Sequence, residues 1–135
     1  MGDPETEVIL PRLQTDLVSI LAATDNGTLE DVNIEYHDGA FATVMAVSGG
    51  YPGDYKKGFP ISGLDLATQT PKTTLFQAGT AFKEDTILTN GGRVLTVTAQ
   101  GNTITEAVQT AKNALTKIHF EGMNFRKDIG FEFAS

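Results

Sequence analysis

A helix with a single apolar stripe must lie on something flat, and residues 103–118 encode such a helix. Thr103-Ile104-Thr105-Glu106 has the form of a capping box, in which the hydroxyl takes an orphan amide and the glutamate reaches back. Behind it, Ile104, Ala107, Val108, Ala111, Leu115 and Ile118 recur at intervals of three and four. The stretch before it has the other period. Val32, Ile34 and Tyr36 alternate with polar residues, Asp38-Gly39 reads as a hairpin turn, and 41–47 is apolar enough for a buried strand. Short extended pieces follow at 59–61, 74–82 and 87–89, with Lys83-Glu84-Asp85 as a turn, and a longer strand runs from Arg93 to Ala99. One or two closing strands are expected within 120–133. The fold class is therefore α+β, several short strands under one long packed helix.

The opening differs. Asp3 is placed to cap a helix, Pro4 suits its first position, and Glu5 and Glu7 favour its positive end. Pro11 limits that helix to about two turns. Thr15 or Asp16 caps a second helix carrying Leu17, Val18, Ile20 and Leu21, and Asp25-Asn26-Gly27 ends it. This helical pair has no partner layer of its own and reads as the tail of something larger. Exposed Val8, Leu17 and Leu21 leave two outcomes open, a homodimer through these helices or a frayed segment.

Composition narrows the chemistry. The 135 residues fit one domain, or one domain plus a remnant of another. Without cysteine there are no disulfides or thiolate metal sites. Ten basic against seventeen acidic residues give a net charge of −7, which disfavours nucleic acid and anionic membrane as partners. An anionic ligand must be held by a local cluster working against that field. No apolar run reaches membrane-spanning length and no signal peptide is seen, so a soluble, cytoplasmic protein is expected. His37 and His119 have no metal-ligand spacing, and no nucleophile elbow, Walker loop or dinucleotide fingerprint occurs.

Four stretches could carry a site. In Asn90-Gly91-Gly92-Arg93 an Asn-Gly hairpin signal is followed by a second glycine and an arginine, which suits either a turn alone or a phosphate seat. Tyr51-Pro52-Gly53 is a turn with a packed aromatic or a ligand loop. Lys56 and Lys57 ordinarily serve solubility, and Arg126-Lys127-Asp128 ordinarily forms a solvated strand end with a self-paired charge. Together these turns would give an acidic chain one positive pocket, provided that they converge.

The order Gly50-Tyr51-Pro52-Gly53, Gly58 with Ile61-Ser62-Gly63-Leu64, Phe76-Gln77-Ala78-Gly79-Thr80-Ala81, Thr89-Asn90-Gly91-Gly92-Arg93-Val94-Leu95, Val97-Thr98-Ala99, Ile118-His119-Phe120-Glu121-Gly122-Met123 and Arg126-Lys127-Asp128-Ile129-Gly130 resembles the carboxy-terminal region of the glycinamide ribonucleotide synthetase (phosphoribosylamine–glycine ligase) family, in phrasing most like its eukaryotic form. Gly2-Asp3-Pro4-Glu5-Thr6 is similar to the end of that family's ATP-grasp signature, with Met1 where the family has phenylalanine.

The resemblance implies a domain division at 1–27, the helical end of an ATP-grasp domain, and 28–135, the synthetase C-domain. It implies for the latter a small β-rich barrel-sandwich fold of the rudiment single hybrid type that closes one side of the active site. The implied activity joins 5-phosphoribosylamine to glycine through a glycyl phosphate in purine biosynthesis, with ATP and Mg²⁺ as cofactors. The family's metal ligands precede Gly2, so no metal ligand or catalytic residue is expected here, and the chain alone should be inactive. Its partners would be the two small substrates and the remainder of a synthetase chain. Asn90, Gly91, Gly92 and Arg93 are the residues expected to face the substrate phosphate or ribose, joined by Tyr51, Pro52, Gly53 and Arg126. Two other functions remain: a purely structural interface domain, or a carrier modified at Lys83, against which Phe82 and Glu84 are the wrong neighbours.

Overall fold

The structure, a computed structural model, describes residues 2–133. The helix expected from the stripe is present as Ile104–Leu115. The Thr103 hydroxyl accepts from the Glu106 amide at 3.1 Å, and the Glu106 carboxylate accepts from the Asn102 amide at 2.8 Å, one residue beyond its usual capping-box target. We label the helices α1 (Glu5–Arg12), α2 (Leu17–Asn26), α3 (Leu64–Thr68) and α4 (Ile104–Leu115), and the strands β1 (Ala40–Val47), β2 (Thr73–Gln77), β3 (Thr80–Lys83), β4 (Thr86–Thr89) and β5 (Arg93–Gly101).

Helix α4 lies on an antiparallel sheet of order β1-β5-β2. Ala42, Val44 and Ala46 of β1 stand opposite Ala99, Val97 and Leu95 of β5, and all six are buried. Ala107, Ala111, Ala114 and Leu115 of α4 are fully buried above them. The alanines bring helix and sheet close together, and glycine is needed where β5 turns toward α4. A Cβ on Gly101 would lie 2.5 Å from the Ala107 amide nitrogen. Phe120 and Ile118 close the end of this core.

The reverse face of the sheet is hydroxyl-rich. Thr43 is within 3.1 Å of Thr96 and 2.9 Å of Thr98, Thr96 donates to the Val44 carbonyl, and Thr98 donates to the Glu7 carbonyl of α1 at 2.6 Å. Thr96 and Thr98 are buried nonetheless. Helix α1 therefore has a partner layer, contrary to the expectation for the opening. Helix α2 is the exposed one: only Ala23 is buried, while Val18 is 70% and Leu21 60% exposed. Val8 and Leu17, expected at the surface, are half-buried. Asp16 and Gly27 cap α2 as the sequence indicates. Asp3 does not cap α1, and Pro11 sits inside its last turn. Met1 lies outside the described residues.

Strands β3 and β4 form a separate hairpin through Glu84 and Asp85, both at positive φ (49° and 59°). The two antiparallel sheets do not close into a barrel, and the fold is a mixed α+β domain. Three expectations fail. Residues 32–36 form no strand; the chain makes a 3-10 turn, Leu29–Asp31, and then pairs only at Tyr36, with Leu13, so Asp38-Gly39 is not a hairpin. Residues 90–92 are not a hairpin turn either. They cross from one sheet to the other, since β4 pairs with β3 and β5 with β1 and β2, and neither Gly91 nor Gly92 has positive φ. The closing strands are absent: 120–133 makes one bridge, Val47 with Asn124, and a 3-10 turn, Phe131–Phe133, while Gly122 and Gly130 at positive φ interrupt any extended run. No described helix is long and apolar enough to cross a membrane.

Two measurements check this packing. Leu115→Ala should destabilise the domain by about 2–5 kcal/mol in denaturant unfolding, because it empties a site with no exposure. Beneath α1, the Glu7 carboxylate has one buried oxygen without a hydrogen-bond partner. Burial, and secondarily the charge of Asp3, push its pKa above the usual glutamate range, while Arg93 pulls it down. The fold thus favours the neutral acid: that contribution is complete below the unfolded-chain pKa and lost as pH rises through the raised folded value. Glu7→Gln should accordingly raise the thermal midpoint at about pH 7 and leave it little changed near about pH 4.

Candidate functional site

The bulged end of β1 places the long glycine-rich connection against the start of β5. Val47 pairs with Arg93 across an irregularity in register. The buried Ser48 fixes the corner, its amide donating to the Gly92 carbonyl and its hydroxyl to the Gly91 carbonyl, each at 2.8 Å. A Cβ on Gly92 would run into the Tyr51 ring and lie 3.0 Å from that of Tyr55. The two rings themselves meet edge-on, centroids 6.2 Å apart. Glycine is required at 92 by this close approach and not by backbone conformation. Gly91 packs in the same way against Gly79, whose Cα would lie 2.9 Å from a Cβ on Gly91.

Tyr51 and Pro52 are thereby held beside Arg93, and together with Arg126 they rim a cavity of about 380 Å³. Its floor is apolar: Val44, Met45, Val47, Phe125 and Ile129. Four of the residues chosen from sequence, drawn from three separate stretches, thus share one cavity. The other four do not line it. Gly53 packs behind the loop, 3.2 Å from the Gly50 carbonyl by its notional Cβ. The Asn90 amide donates to the Gly79 carbonyl at 2.8 Å, and Gly91 and Gly92 serve as packing surfaces with carbonyls bonded to Ser48. Asn124, Phe125 and Met45 were not singled out, because their roles follow from the bridge at Val47 and from strand facing, both tertiary.

Each arginine carries its own carboxylate. Arg93 Nη2 is 2.9 Å from Asp3 Oδ2, and Nη1 is 3.5 Å from the Asp3 carbonyl. Arg126 donates from Nε and Nη2 to both oxygens of Asp128, at 3.0 and 2.7 Å. That bond holds the Asp128 carboxyl below the usual aspartate range. The self-paired strand-end reading of 126–128 thus describes its charges correctly. Neither a capping role for Asp3 nor its place in the Gly2-Asp3-Pro4-Glu5-Thr6 run points to Arg93 as its partner.

A second cavity, also about 380 Å³, opens on the other side of the same loop. Tyr55, Phe59, Lys56 and Glu121 line it, where Gly49 packs on Gly122. The Lys57 ammonium lies 5.9 Å from the Tyr55 ring centroid. Among the described residues no group of three or more histidine and carboxylate side chains is arranged to hold a metal ion. His37 and His119 are both exposed.

Comparison with known proteins bears on the family of the chain. The family described as "Phosphoribosylglycinamide synthetase, C domain" matches residues 41–132. A phosphoribosylamine–glycine ligase of Caldanaerobacter subterraneus subsp. tengcongensis is 45% identical over 128 residues, covering 95% of this chain and 30% of the relative. That of Vibrio cholerae is 46% identical over 130 residues, with 96% and 30% covered. The trifunctional purine biosynthetic protein adenosine-3 of Gallus gallus is also 46% identical, over 131 residues, with 96% and 13% covered. Identity is thus alike for bacterial and animal relatives. The crystal structure of the phosphoribosylamine–glycine ligase of Thermotoga maritima superposes with a TM-score of 0.71 at 32% identity, covering 95% of this chain and 31% of that one. The chain spans about 30% of the length of the single-function relatives it matches. With a family match over most of its residues and relatives sharing nearly half of them along almost its whole length, this chain belongs to the phosphoribosylglycinamide synthetase C-domain family.

Proposed function

We propose that this chain is the substrate-side cap of a phosphoribosylamine–glycine ligase, the enzyme joining 5-phosphoribosylamine to glycine in purine biosynthesis. The observation that carries the reading is the meeting of Tyr51, Pro52, Arg93 and Arg126 on one cavity. The cap's share of the work is to seat and orient the sugar phosphate. Arg93 supplies charge-assisted hydrogen bonds to phosphate oxygens, Tyr51 and the apolar floor exclude water from one side, and Arg126 adds a second cation at the rim.

ATP and Mg²⁺ belong, in this reading, to the remainder of a synthetase. We read 1–27 as the end of an ATP-grasp domain that meets the sheet of 28–135 through α1, a reading supported by the exposed Val18 and Leu21 of α2, which want an apolar neighbour. We read 28–135 as a rudimentary barrel-sandwich unit, supported by its two small antiparallel sheets. The partners we propose are the two substrates and the rest of the synthetase, with a homodimer through α2 as the outcome when that rest is absent. We propose the cytoplasm as the compartment, in keeping with the biosynthetic relatives.

Isothermal titration with ribose 5-phosphate tests the cap. The wild-type chain should bind it, and Arg93→Ala should weaken binding at least about tenfold, the loss of one charge-assisted contact. Absence of binding in both proteins would favour the purely structural reading. A carrier reading has one observation in its favour: Lys83 stands opposite Thr86 at the end of the β3–β4 hairpin, with an exposed side chain. Intact mass of the chain purified from cells should equal the unmodified sequence; an added cofactor mass on Lys83 would establish the carrier instead.

A further inference from the structure

We infer that Asp3 is a positioning residue for Arg93, holding the guanidinium in the orientation that receives the anionic group of the ligand. The inference rests on the function proposed above, because it takes Arg93 to face the ligand.

The geometry has three parts. Asp3 touches Arg93 at two points, carboxylate to Nη2 at 2.9 Å and main-chain carbonyl to Nη1 at 3.5 Å. A clamp on both terminal nitrogens fixes rotation of the planar group as well as its place. It also leaves donors over: a guanidinium carries five N–H bonds, and among the described residues Arg93 is bonded to no acceptor beyond Asp3. An oxyanion therefore has free donors to occupy without displacing the clamp. Finally, the pair is exposed, the side chains retaining 40% and 61% of their accessible surface, so it contributes little to folding. A contact between residues 90 positions apart that hardly stabilises the fold calls for another explanation, and the open cavity beside Arg93 supplies one.

Arg126 provides the contrast. Its carboxylate is two residues away and engages Nε and Nη2 together, a local chelate that would form on almost any loop. Asp3 arrives from the other end of the chain, carried by α1, which the Thr98 hydroxyl pins to the sheet through the Glu7 carbonyl. Glu7 itself senses the charges of both Asp3 and Arg93, which marks the three as one cluster.

The sign of the effect makes the test sharp. Removing a carboxylate beside an anion site strengthens anion binding if charge alone matters. Removing a positioning clamp weakens it, because a freed arginine must be ordered again on binding. Inorganic phosphate and ribose 5-phosphate should be titrated into the 135-residue chain, following the Arg93 Nε–H resonance by nitrogen-edited NMR. Asp3→Ala is expected to weaken both ligands about three- to tenfold and to broaden or average that resonance in the free protein. Asp3→Asn, which keeps an acceptor, should fall between, with the thermal midpoint little changed in either variant. Equal or tighter binding in Asp3→Ala overturns the inference and leaves the cap intact. Failure of both ligands to move the Arg93 resonance in the wild type removes the cap as well.

Discussion

Strand β5 is bonded along both edges, by β1 and β2, and covered on both faces, by α4 and by α1. Six consecutive residues, from Val94 to Ala99, and then Gly101 after the half-buried Gln100, have almost no contact with water. Its α4 face is filled with Leu95, Val97 and Ala99, and burying such side chains is worth about 1.5–3 kcal/mol each for the larger ones. Its α1 face carries Thr96 and Thr98, whose hydroxyls would cost about 1–3 kcal/mol apiece if left unbonded. They are bonded to Thr43, to the Val44 carbonyl and to the Glu7 carbonyl. The polar requirement of one strand thus recruits a helix 91 positions away in the chain.

That recruitment builds the site. Because Thr98 holds Glu7, α1 lies across the sheet and its leading residues reach the start of β5, where Asp3 meets Arg93. Because β1 is paired with β5, its end delivers the 48–55 loop to the same corner, and Ser48 and Gly92 fix Tyr51 there. In a chain of net charge −7 a cation is readily neutralised at random. Here Arg93 meets the carboxylate of a distant segment and Arg126 that of Asp128 two residues on, and both stand at the rim of one apolar cavity.

Helix α4 was legible because its signals are local: a cap within four residues and an apolar repeat that any covering sheet would satisfy. Residues 90–92 show the limit of such signals. Asn-Gly reports what a turn tolerates, yet the partner of each flanking strand is chosen by the whole sheet, and here both partners lie elsewhere. The glycines are needed for another reason, the approach of Gly79 and of the Tyr51 ring. The alternation at 32–36 misled for a related cause. Ile34 and Tyr36 remain 38% and 49% exposed, so the pattern had no buried face to answer to. Arg93, Arg126, Tyr51 and Pro52 could be chosen from motif order, whereas the pairing of Asp3 with Arg93 could not, since the two stand in separate motifs with no local contact between them.

The amino-acid sequence alone determined the α+β class, the long packed helix with its cap, the caps of α2, and membership of the synthetase C-domain family. These follow from contacts between near neighbours or from motifs in fixed order. Only the tertiary structure decided that β5 is central, that α1 belongs to the same body, and that two arginines share a cavity with each one's charge already answered. Those outcomes depend on which distant groups satisfy a buried hydroxyl or fill the space beside a glycine, and residues 90 positions apart in the chain carry no local sign that they will meet.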